Sequence, residues 1–408
     1  MSLKTHADMS QFTTRDSQLV IAGHAIDQLA AIAGQTPFYV YDRAVIQQNV
    51  ETLRHYFPEV SLHYAIKANP MPAVVNYLSQ QVDGLDVASA KELHIALSTG
   101  ISPSKVSFAG PGKSTQELSM AIAAGITLNV ESITELERII AIVEHDNTSA
   151  NVALRLNPDF ELKSSGMKMG GGPQQFGIDV EQLDSVFELL KHPKLHFMGL
   201  HIFTGSQNLN AGSIITAHNS IFALVDRLQQ EYSFSLKHLN IGGGFGIPYF
   251  PGDQLLDLEP IADNLNQLIT EHQKLLVDCE LILELGRYLV GNAGVYVCQI
   301  TDKKISRDQT YLICNGGLHH HLAASGNFGQ VIRKNYPVAI ANRMQQSDTE
   351  LVNIVGPLCT PLDILANKME LPKAEIGDWV AVFQSGAYGF TASPRDFLSH
   401  PHPVELLL

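Results

Sequence analysis

The feature that most constrains the fold is an eightfold alternation of short apolar runs with amphipathic helical stretches, between about Ser61 and Leu285. Each apolar run has the length and composition of a buried strand, and each is followed by a helical pattern. The eight runs are SLHYAIK, GLDVA, KVSFAG, ITLNVE, NVALRLN, HFMGLHIF, KHLNIGG and ELILEL. Eight successive strand-helix units predict a closed barrel of parallel strands, the (β/α)8 or TIM barrel.

Local signals at the helix ends support this count. Three predicted helices begin with the Ser-x-x-Glu pattern of a capping box, at Ser89 with Glu92, Ser114 with Glu117, and Ser132 with Glu135. Glycines at the far ends of helical patterns predict left-handed C-terminal caps at Gly84, Gly100 and Gly125. The run GMKMGGGPQQFG after the fifth strand predicts a flexible loop.

A change of pattern beyond about Gly291 predicts a second domain. The runs GVYVCQI, QTYLICN, ELVNIVG and DWVAVF are strand-like and are separated by Gly, Pro and Asp turns. The early run PFYVYD is also strand-like but precedes the barrel, so we assign it to the same mainly β domain. The predicted division is 1–43 for an N-terminal segment that adds a strand to the β domain, 44–290 for the barrel and 291–408 for the C-terminal β domain.

Composition excludes several classes of function. The 408 residues carry a formal net charge of −14 and contain no basic run, which argues against a nucleic-acid partner. No apolar stretch reaches the ~18 residues that a membrane span needs, and the N-terminus is too polar for a signal peptide, so we expect a soluble cytoplasmic protein without a membrane partner. The four cysteines form no CxxC pair, and the adjacent His319, His320 and His321 point in alternating directions, so no metal site is expected.

Polar residues stand where the barrel strands end. In such barrels the C-terminal strand ends face one pocket, and here they carry Lys67, Asp86, Arg155, His201, Gly242–Gly244, Glu284 and Arg287. A lysine at a strand end is either a functional amine or one half of a structural ion pair, because an unpaired ammonium there loses hydration.

The glycine run and the acid one strand later suggest a bound cofactor. Gly242–Gly244 follow the seventh strand, where barrels commonly bind phosphate, although a tight turn would also need glycines. Ser206 and Arg287 could add donors to such a site. Glu284 could keep a pyridine nitrogen protonated, or it could pair only with Arg287 or Arg155. His201 could stack on a flat cofactor or be a buried core histidine.

Seven motifs taken together resemble one enzyme family. HYAIKANP, GLDVAS, HIFTGSQ, NIGGGFG, ELGR, GPLC and GAYG occur in the order found in the diaminopimelate, ornithine and arginine decarboxylases, which have an alanine-racemase-like barrel. The resemblance runs from about Pro37 to Phe390. It implies a carboxy-lyase that uses pyridoxal 5′-phosphate (PLP).

The resemblance also implies roles for individual residues. Lys67 would form the internal aldimine with PLP, His201 would stack on the ring and Glu284 would hold the pyridine nitrogen. The remaining cofactor contacts would come from Asp86, Arg155, Ser206, Gly243, Gly244, Gly286, Arg287 and Tyr388. Cys359 would protonate the substrate Cα after CO2 leaves, reaching the site across the interface of a homodimer with shared active sites.

The residues after Cys359 bear on the substrate. The chain reads CTPLD, whereas the diaminopimelate and ornithine branches have an acid directly after the cysteine, so Thr360 cannot pair with a distal ammonium. Asp363 lies three positions away and could simply cap a helix. The predicted substrate-binding residues are Arg287, Arg333, Tyr336, Thr360 and Tyr388, with Arg333 and Tyr336 as candidates for a distal carboxylate or carbonyl.

Longer stretches narrow the resemblance to a subgroup from biosynthetic gene clusters. NPDFELKSSGMKMGGGPQQFG and NGGLHHHLAASGNFGQVIRKNYP are similar to the L-glutamyl-acyl-carrier-protein decarboxylase of aminoglycoside biosynthesis and to decarboxylases of exosortase or siderophore clusters. The implied substrate is an amino acid, free or tethered to a carrier protein. The alternatives are diaminopimelate decarboxylation in lysine biosynthesis, amino-acid racemisation on the same fold, and a non-catalytic relative.

Overall fold

The computed structural model describes residues 5–160, 167–168 and 170–408. The N-terminal elements are β1 (Thr13–Arg15), β2 (Gln18–Ile21), β3 (His24–Ala25), α1 (Ile26–Ala33), β4 (Phe38–Tyr41) and α2 (Arg43–Tyr56). The central elements are β5 (Ser61–Ala65), α3 (Pro72–Leu78), β6 (Gly84–Val87), α4 (Ala90–Ser98), β7 (Val106–Phe108), α5 (Thr115–Ala124), β8 (Thr127–Val130), α6 (Ile133–His145), β9 (Ala150–Asn157), β10 (Met167–Lys168), β11 (Ile178–Asp179), α7 (Leu183–Leu189), β12 (Leu195–His201), β13 (Gly205–Ser206), α8 (Ala211–Tyr232), β14 (His238–Gly243), α9 (Glu259–Glu271) and β15 (Glu280–Leu285). The C-terminal elements are α10 (Arg287–Val290), β16 (Gly294–Ser306), β17 (Gln309–Cys314), β18 (Val338–Ile340), β19 (Thr349–Val355), β20 (Ile364–Pro372), β21 (Trp379–Val382) and β22 (Val404–Leu407).

The chain divides into two compact units. We call Val50–Gly246 with Leu256–Gly286 the barrel unit, and the residues up to Asn49, Ile247–Leu255 and Arg287–Leu408 the sheet unit. The predicted boundaries after residues 43 and 290 differ from this division, which falls after residues 49 and 286. The segment Ile247–Leu255, which we predicted as part of the barrel, belongs to the sheet unit.

Eight parallel strands close on themselves in the barrel unit, which confirms the predicted (β/α)8 barrel. Their order around the barrel is β9-β12-β14-β15-β5-β6-β7-β8, and β8 pairs with β9 to complete the ring. All eight pairings are parallel, because a helix on the outside of the barrel connects each strand to the next one along the chain. The closed ring brings the C-terminal ends of the eight strands to one rim.

The helix ends show where local sequence patterns were misleading. Only Ser114 and Glu117 form the reciprocal capping box; Ser89 and Ser132 cap their helices, but Glu92 and Glu135 bond elsewhere. Gly125 is a left-handed C-cap, and Gly100 has positive φ one residue beyond the cap of α4.

Gly84 is not the predicted helix cap. It is the first residue of β6, where a Cβ would lie 2.3 Å from the His63 ring. Glycine is needed there because the imidazole occupies the space that a side chain would fill.

Besides the small antiparallel sheet β1-β2-β3, the sheet unit contains a larger, mainly antiparallel sheet built from both ends of the chain. The strand order is β18-β21-β16-β17-β19-β20, and β4 pairs with β16 and with the C-terminal strand β22. All four residues of β4 are buried, three of them aromatic and one aliphatic. Across the part of the chain that the structure describes, we find no helix with the length and apolarity to cross a bilayer.

One buried histidine of the barrel unit gives a pH-dependent prediction. His218 on α8 is 2% exposed, and burial lowers its pKa from 6.5 to about 4. The unfolded chain therefore binds a proton at higher pH than the folded chain, so stability is lost as the pH falls from 6.5 towards 4. We expect His218→Leu to reduce the loss of unfolding free energy between pH 7 and pH 5 by about 2 kcal/mol.

Urea titrations at the two pH values measure this difference. His94→Leu is the matched control, because His94 lies exposed on α4. An acid-induced loss of stability that is the same in His218→Leu and in the parent protein would contradict the assignment.

Candidate functional site

Three predicted site residues converge at the rim of the barrel. Lys67 lies in a single 3-10 turn directly after β5, Glu284 lies near the end of β15, and His201 is the last residue of β12. Lys67 Nζ donates to Glu284 Oε1 at 3.2 Å, and His201 Nε2 lies 3.2 Å from Glu284 Oε2. The closed strand order brings these three residues together, although 217 positions separate Lys67 from Glu284.

The electrostatics of this cluster favour an ionised acid. Glu284 is 4% exposed, and burial opposes its charge, but Lys67 and His201 more than offset that penalty and hold its pKa well below the usual range. His201 is 2% exposed, and its Nδ1 has no hydrogen-bond partner among the described residues. Lys67 Nζ lies 5.5 Å from the centre of the Phe203 ring. The cluster combines an accessible amine, a buried carboxylate and a flat ring.

Glycines line the rim beside Glu284. Gly243 is the register partner of Glu284, and its neighbours Gly242 and Gly244 have φ values of +70° and +73°. A Cβ on Gly244 would lie 2.0 Å from the Gly205 carbonyl oxygen. The run is therefore required by backbone geometry, and it leaves the rim without side chains at this point. Ser206 ends the neighbouring short strand β13, and Gly286 directly follows β15.

Asp86 lies in a polar layer inside the barrel. Asp86 Oδ1 is 3.2 Å from His63 Nδ1 and also accepts the Ser107 hydroxyl. Burial opposes protonation of His63, but Asp86 raises its pKa. Asp86 Oδ2 is buried and has no partner among the described residues. Its role as a support of a bound cofactor stays a prediction.

Arg155 pairs with an acid that sequence reasoning missed. Arg155 is the register partner of His201, and its Nη1 donates to Glu131 Oε1 at 2.8 Å. Lys113 and Glu135 extend this buried group, with Lys113 Nζ 2.6 Å from Glu135 Oε1. The sequence signal for Glu131 was its place at the end of the fourth strand.

Three predicted residues of the sheet unit, Arg287, Tyr336 and Tyr388, lie in one aromatic group with Tyr249. Arg287 Nη1 donates to the Tyr249 hydroxyl at 2.7 Å, and the guanidinium lies 5.3 Å and 4.7 Å from the rings of Tyr249 and Tyr388. Tyr336 is buried, and its ring centre lies 4.7 Å from that of Tyr249. Sequence reasoning missed Tyr249, which follows the glycine run by five positions.

The loop that carries Cys359 is held by an acid. Asp363 Oδ1 accepts the N–H of Leu318 at 2.6 Å, and Oδ2 accepts the N–H of Leu358 at 2.9 Å. Asp363 is 3% exposed, and burial raises its pKa. The alternative that Asp363 caps a helix is wrong, because it joins two loops instead. Cys359 itself is exposed, and Thr360 follows it in a turn.

Arg333 and the histidine run have structural partners. Arg333 Nη2 donates to the Ile364 carbonyl at 2.6 Å. His320 Nδ1 lies 3.1 Å from the Tyr296 hydroxyl, and His321 Nε2 lies 2.9 Å from Ser385 Oγ. Within the described ranges, no group of three His, Cys, Asp or Glu side chains has an arrangement that could hold a metal ion.

The barrel rim fits PLP by the chemistry of its side chains. An aldehyde requires an amine, a pyridine nitrogen requires an acid, and a flat ring requires a flat neighbour; Lys67, Glu284 and His201 supply these groups. The glycine run, where side chains would collide with backbone, gives a phosphate close access to main-chain N–H groups.

Comparison with known proteins agrees with this fit. The family described as "Pyridoxal-dependent decarboxylase, pyridoxal binding domain" matches residues 43–291. The L-glutamyl-(BtrI acyl-carrier protein) decarboxylase of Niallia circulans is 38% identical over 380 residues, covering 91% of this chain and 89% of that protein. The 2-((L-alanin-3-ylcarbamoyl)methyl)-2-hydroxybutanedioate decarboxylase of Staphylococcus aureus is 32% identical over 393 residues, covering 94% and 96%.

A solved structure extends the likeness to the whole fold. The crystal structure of diaminopimelate decarboxylase from M. jannaschii superposes with a TM-score of 0.89 at 28% identity, covering 98% of this chain and 92% of that chain. The predicted family and cofactor are thereby confirmed. The chain belongs to the pyridoxal-dependent decarboxylases, and it is a PLP-dependent carboxy-lyase.

Proposed function

We propose that this enzyme removes the α-carboxylate of an amino acid, free or tethered to a carrier protein, whose distal end carries no ammonium group. The observation that carries the proposal is the convergence of Lys67, Glu284 and His201 at the barrel rim. Bound PLP supplies an electron sink for the bonding electrons that the departing CO2 leaves behind. Lys67 holds the cofactor through its ε-amine.

The other rim residues orient the cofactor and control its protonation. Glu284 remains ionised because Lys67 and His201 stabilise its charge, so it can keep a proton on a ring nitrogen. His201, which is buried and has no partner at Nδ1, provides a flat stacking surface. The rim glycines and Ser206 bind the phosphate, and Asp86 and Arg155 support the inner wall. Arg287 and Tyr388 remain predicted contacts on the evidence of the resemblance.

We assign the final proton transfer to Cys359. A carbanion at Cα needs a proton donor after CO2 has left, and a thiol is a suitable acid for that step. Cys359 is exposed, on the loop that Asp363 anchors. The family resemblance implies that this thiol serves the active site of a second copy, so we propose a homodimer with shared sites.

The Cys359 loop also restricts the substrate. Thr360 offers no charge to a distal ammonium, and Asp363 cannot replace the missing acid, because both of its oxygens accept backbone N–H groups in a buried position. The substrates named for the Niallia circulans and Staphylococcus aureus relatives carry no second, distal amine. Arg333 and Tyr336 remain candidates for binding a distal carboxylate or carbonyl.

Measurement of CO2 release from a substrate panel tests this function. We expect turnover with glutamate, with a carrier-linked glutamyl group, or with both. Values of kcat/KM should be at least about tenfold lower for diaminopimelate, ornithine and lysine, because a site that offers no acid leaves their distal ammonium unpaired. The protein should be tested as the full chain with added PLP.

The same panel separates the alternatives. Preferred turnover of diaminopimelate, the substrate in the name of a relative from Aquifex aeolicus, would replace the proposed substrate class. Appearance of the mirror-image amino acid from an enantiopure substrate, without CO2, would indicate a racemase. No reaction with any free or tethered substrate would favour a non-catalytic role.

A further inference from the structure

Three loops at the barrel rim meet on the carboxylate of Glu131, which directly follows β8. Glu131 Oε1 accepts the N–H of Gly110, in the loop after β7, and it also accepts Arg155 Nη1 from β9. Glu131 Oε2 accepts the N–H of Gly177 at 3.2 Å, at the end of the glycine-rich segment Gly170–Gly177. One side chain therefore links three successive strand ends.

The position of Arg155 depends on this carboxylate. Both side chains are buried, at 7% and 1% exposure, and the ion pair holds the pKa of Glu131 below its usual range although burial opposes the charge. The other face of the guanidinium lies 4.9 Å from the centre of the Phe176 ring. Arg155 is thus fixed by Glu131 and by a residue of the glycine-rich segment.

A second buried pair supports Glu131 from below. Lys113 Nζ donates to the carbonyls of Gly110 and Asn129 and to Glu135 Oε1. These three bonds use all three N–H groups of the Lys113 ammonium. Glu135 Oε2 accepts the backbone N–H of Glu131 at 3.1 Å. The backbone N–H of Glu131 and its carboxylate therefore both have hydrogen-bond partners.

The glycine-rich segment is fastened at both ends. Near its start, Asn157 Oδ1 accepts the N–H of Gly171 at 2.9 Å, and Asn157 Nδ2 donates to the Gly172 carbonyl at 2.8 Å. At its end, Gly177 has φ +76°, and a Cβ there would lie 2.8 Å from the backbone N of Asn157. Only glycine allows the segment to approach the backbone at the end of β9 this closely, where its N–H can reach Glu131.

We infer that Glu131 is a positioning residue, which fixes Arg155 and the Gly170–Gly177 segment together at the active-site rim. Arg155 lies beside His201 on the neighbouring strand, and its charge contributes to stabilising ionised Glu284. Displacement of Arg155 would therefore change the electrostatics around the cofactor. The inference rests on the proposed function only in taking this rim as the active site.

Glu131→Gln tests the inference, because it keeps the shape of the side chain and removes its charge. In the protein without PLP, we expect amide hydrogen exchange at residues 170–177 to become at least about tenfold faster, because the segment loses its anchor. With PLP, we expect kcat to fall at least about tenfold while the cofactor still binds to Lys67, together with a shifted pH dependence of the visible absorption band.

Two further variants make the test specific. Glu117→Gln is the matched control, since Glu117 also accepts two backbone N–H groups but lies in a capping box; neither exchange at 170–177 nor kcat should change. Phe176→Leu removes the ring contact with Arg155 and leaves the buried charges intact, so it should also lower kcat. This variant tests the inference even if Glu131→Gln folds poorly.

Exchange at 170–177 and a pH dependence that are both unchanged in Glu131→Gln would overturn the inference, as would full activity in Phe176→Leu. The exchange measurement needs no turnover. If the parent protein released no CO2 from any substrate, the proposed function would fail while the linkage between Glu131 and the segment could still be decided.

Discussion

Lys67→Ala is expected to abolish the visible absorption of bound PLP and to reduce CO2 release to below about one thousandth of the parent rate. The ε-amine is the group at the barrel rim that can bond to the cofactor aldehyde, and it lies 3.2 Å from Glu284. Absorption spectra, borohydride reduction followed by peptide mass analysis, and CO2 release measure the effect. The reduced pyridoxyl adduct should be found at position 67 in the parent protein and be missing from the variant.

Two controls separate this effect from general damage. Lys105 also pairs with an acid of β15, Glu280 at the start of that strand, with Nζ and Oε1 2.8 Å apart. Lys105→Ala should therefore keep the colour and the activity. Cys359→Ala should keep the colour but slow turnover, because it removes the proposed proton donor. CO2 release that continues undiminished in Lys67→Ala would end the proposal.

Lys113→Met is expected to lower the free energy of unfolding by about 3–5 kcal/mol. Lys113 and Glu135 are 1% and 2% exposed, and Lys113 Nζ also bonds to two carbonyls. Removal of the ammonium leaves the Glu135 carboxylate buried without its cation, and a buried charge of that kind is strongly destabilising. Urea denaturation monitored by fluorescence or circular dichroism measures the loss.

An exposed pair of the same type provides the comparison. Lys191 and Glu188 are 69% and 72% exposed, so Lys191→Met should change the unfolding free energy by less than about 0.5 kcal/mol. Equal effects of Lys113→Met and Lys191→Met would show that the buried network contributes nothing beyond an ordinary surface pair.

The barrel could be predicted from sequence because its signals are local and repeated. Each strand is a short apolar run, each helix has its own start, and the closed ring follows from counting eight units. The site cluster could be predicted for the same reason: Lys67, His201 and Glu284 lie at strand ends, and a closed barrel brings strand ends together.

The contacts that support the site could not be predicted, because they depend on distant partners. Ser132 and Glu135 match a local capping box, yet the Glu135 carboxylate bonds to Lys113, 22 positions earlier. Gly84 matches a helix end, yet the His63 ring explains it. Asp363 matches a helix cap, yet it joins Leu358 to Leu318, 45 positions away. In each case the residue makes a long-range contact that the local pattern does not reveal.

The strand β4 has a consequence for how the protein is made. Its residues Phe38–Tyr41 lie between β16 and β22, which begin at Gly294 and Val404. At ordinary rates of translation, this aromatic strand leaves the ribosome on the order of tens of seconds before its first neighbour has been synthesised. Both edges of this apolar strand stay unpaired during that interval. The yield of folded enzyme in a cell should therefore depend on chaperones that shield nascent chains.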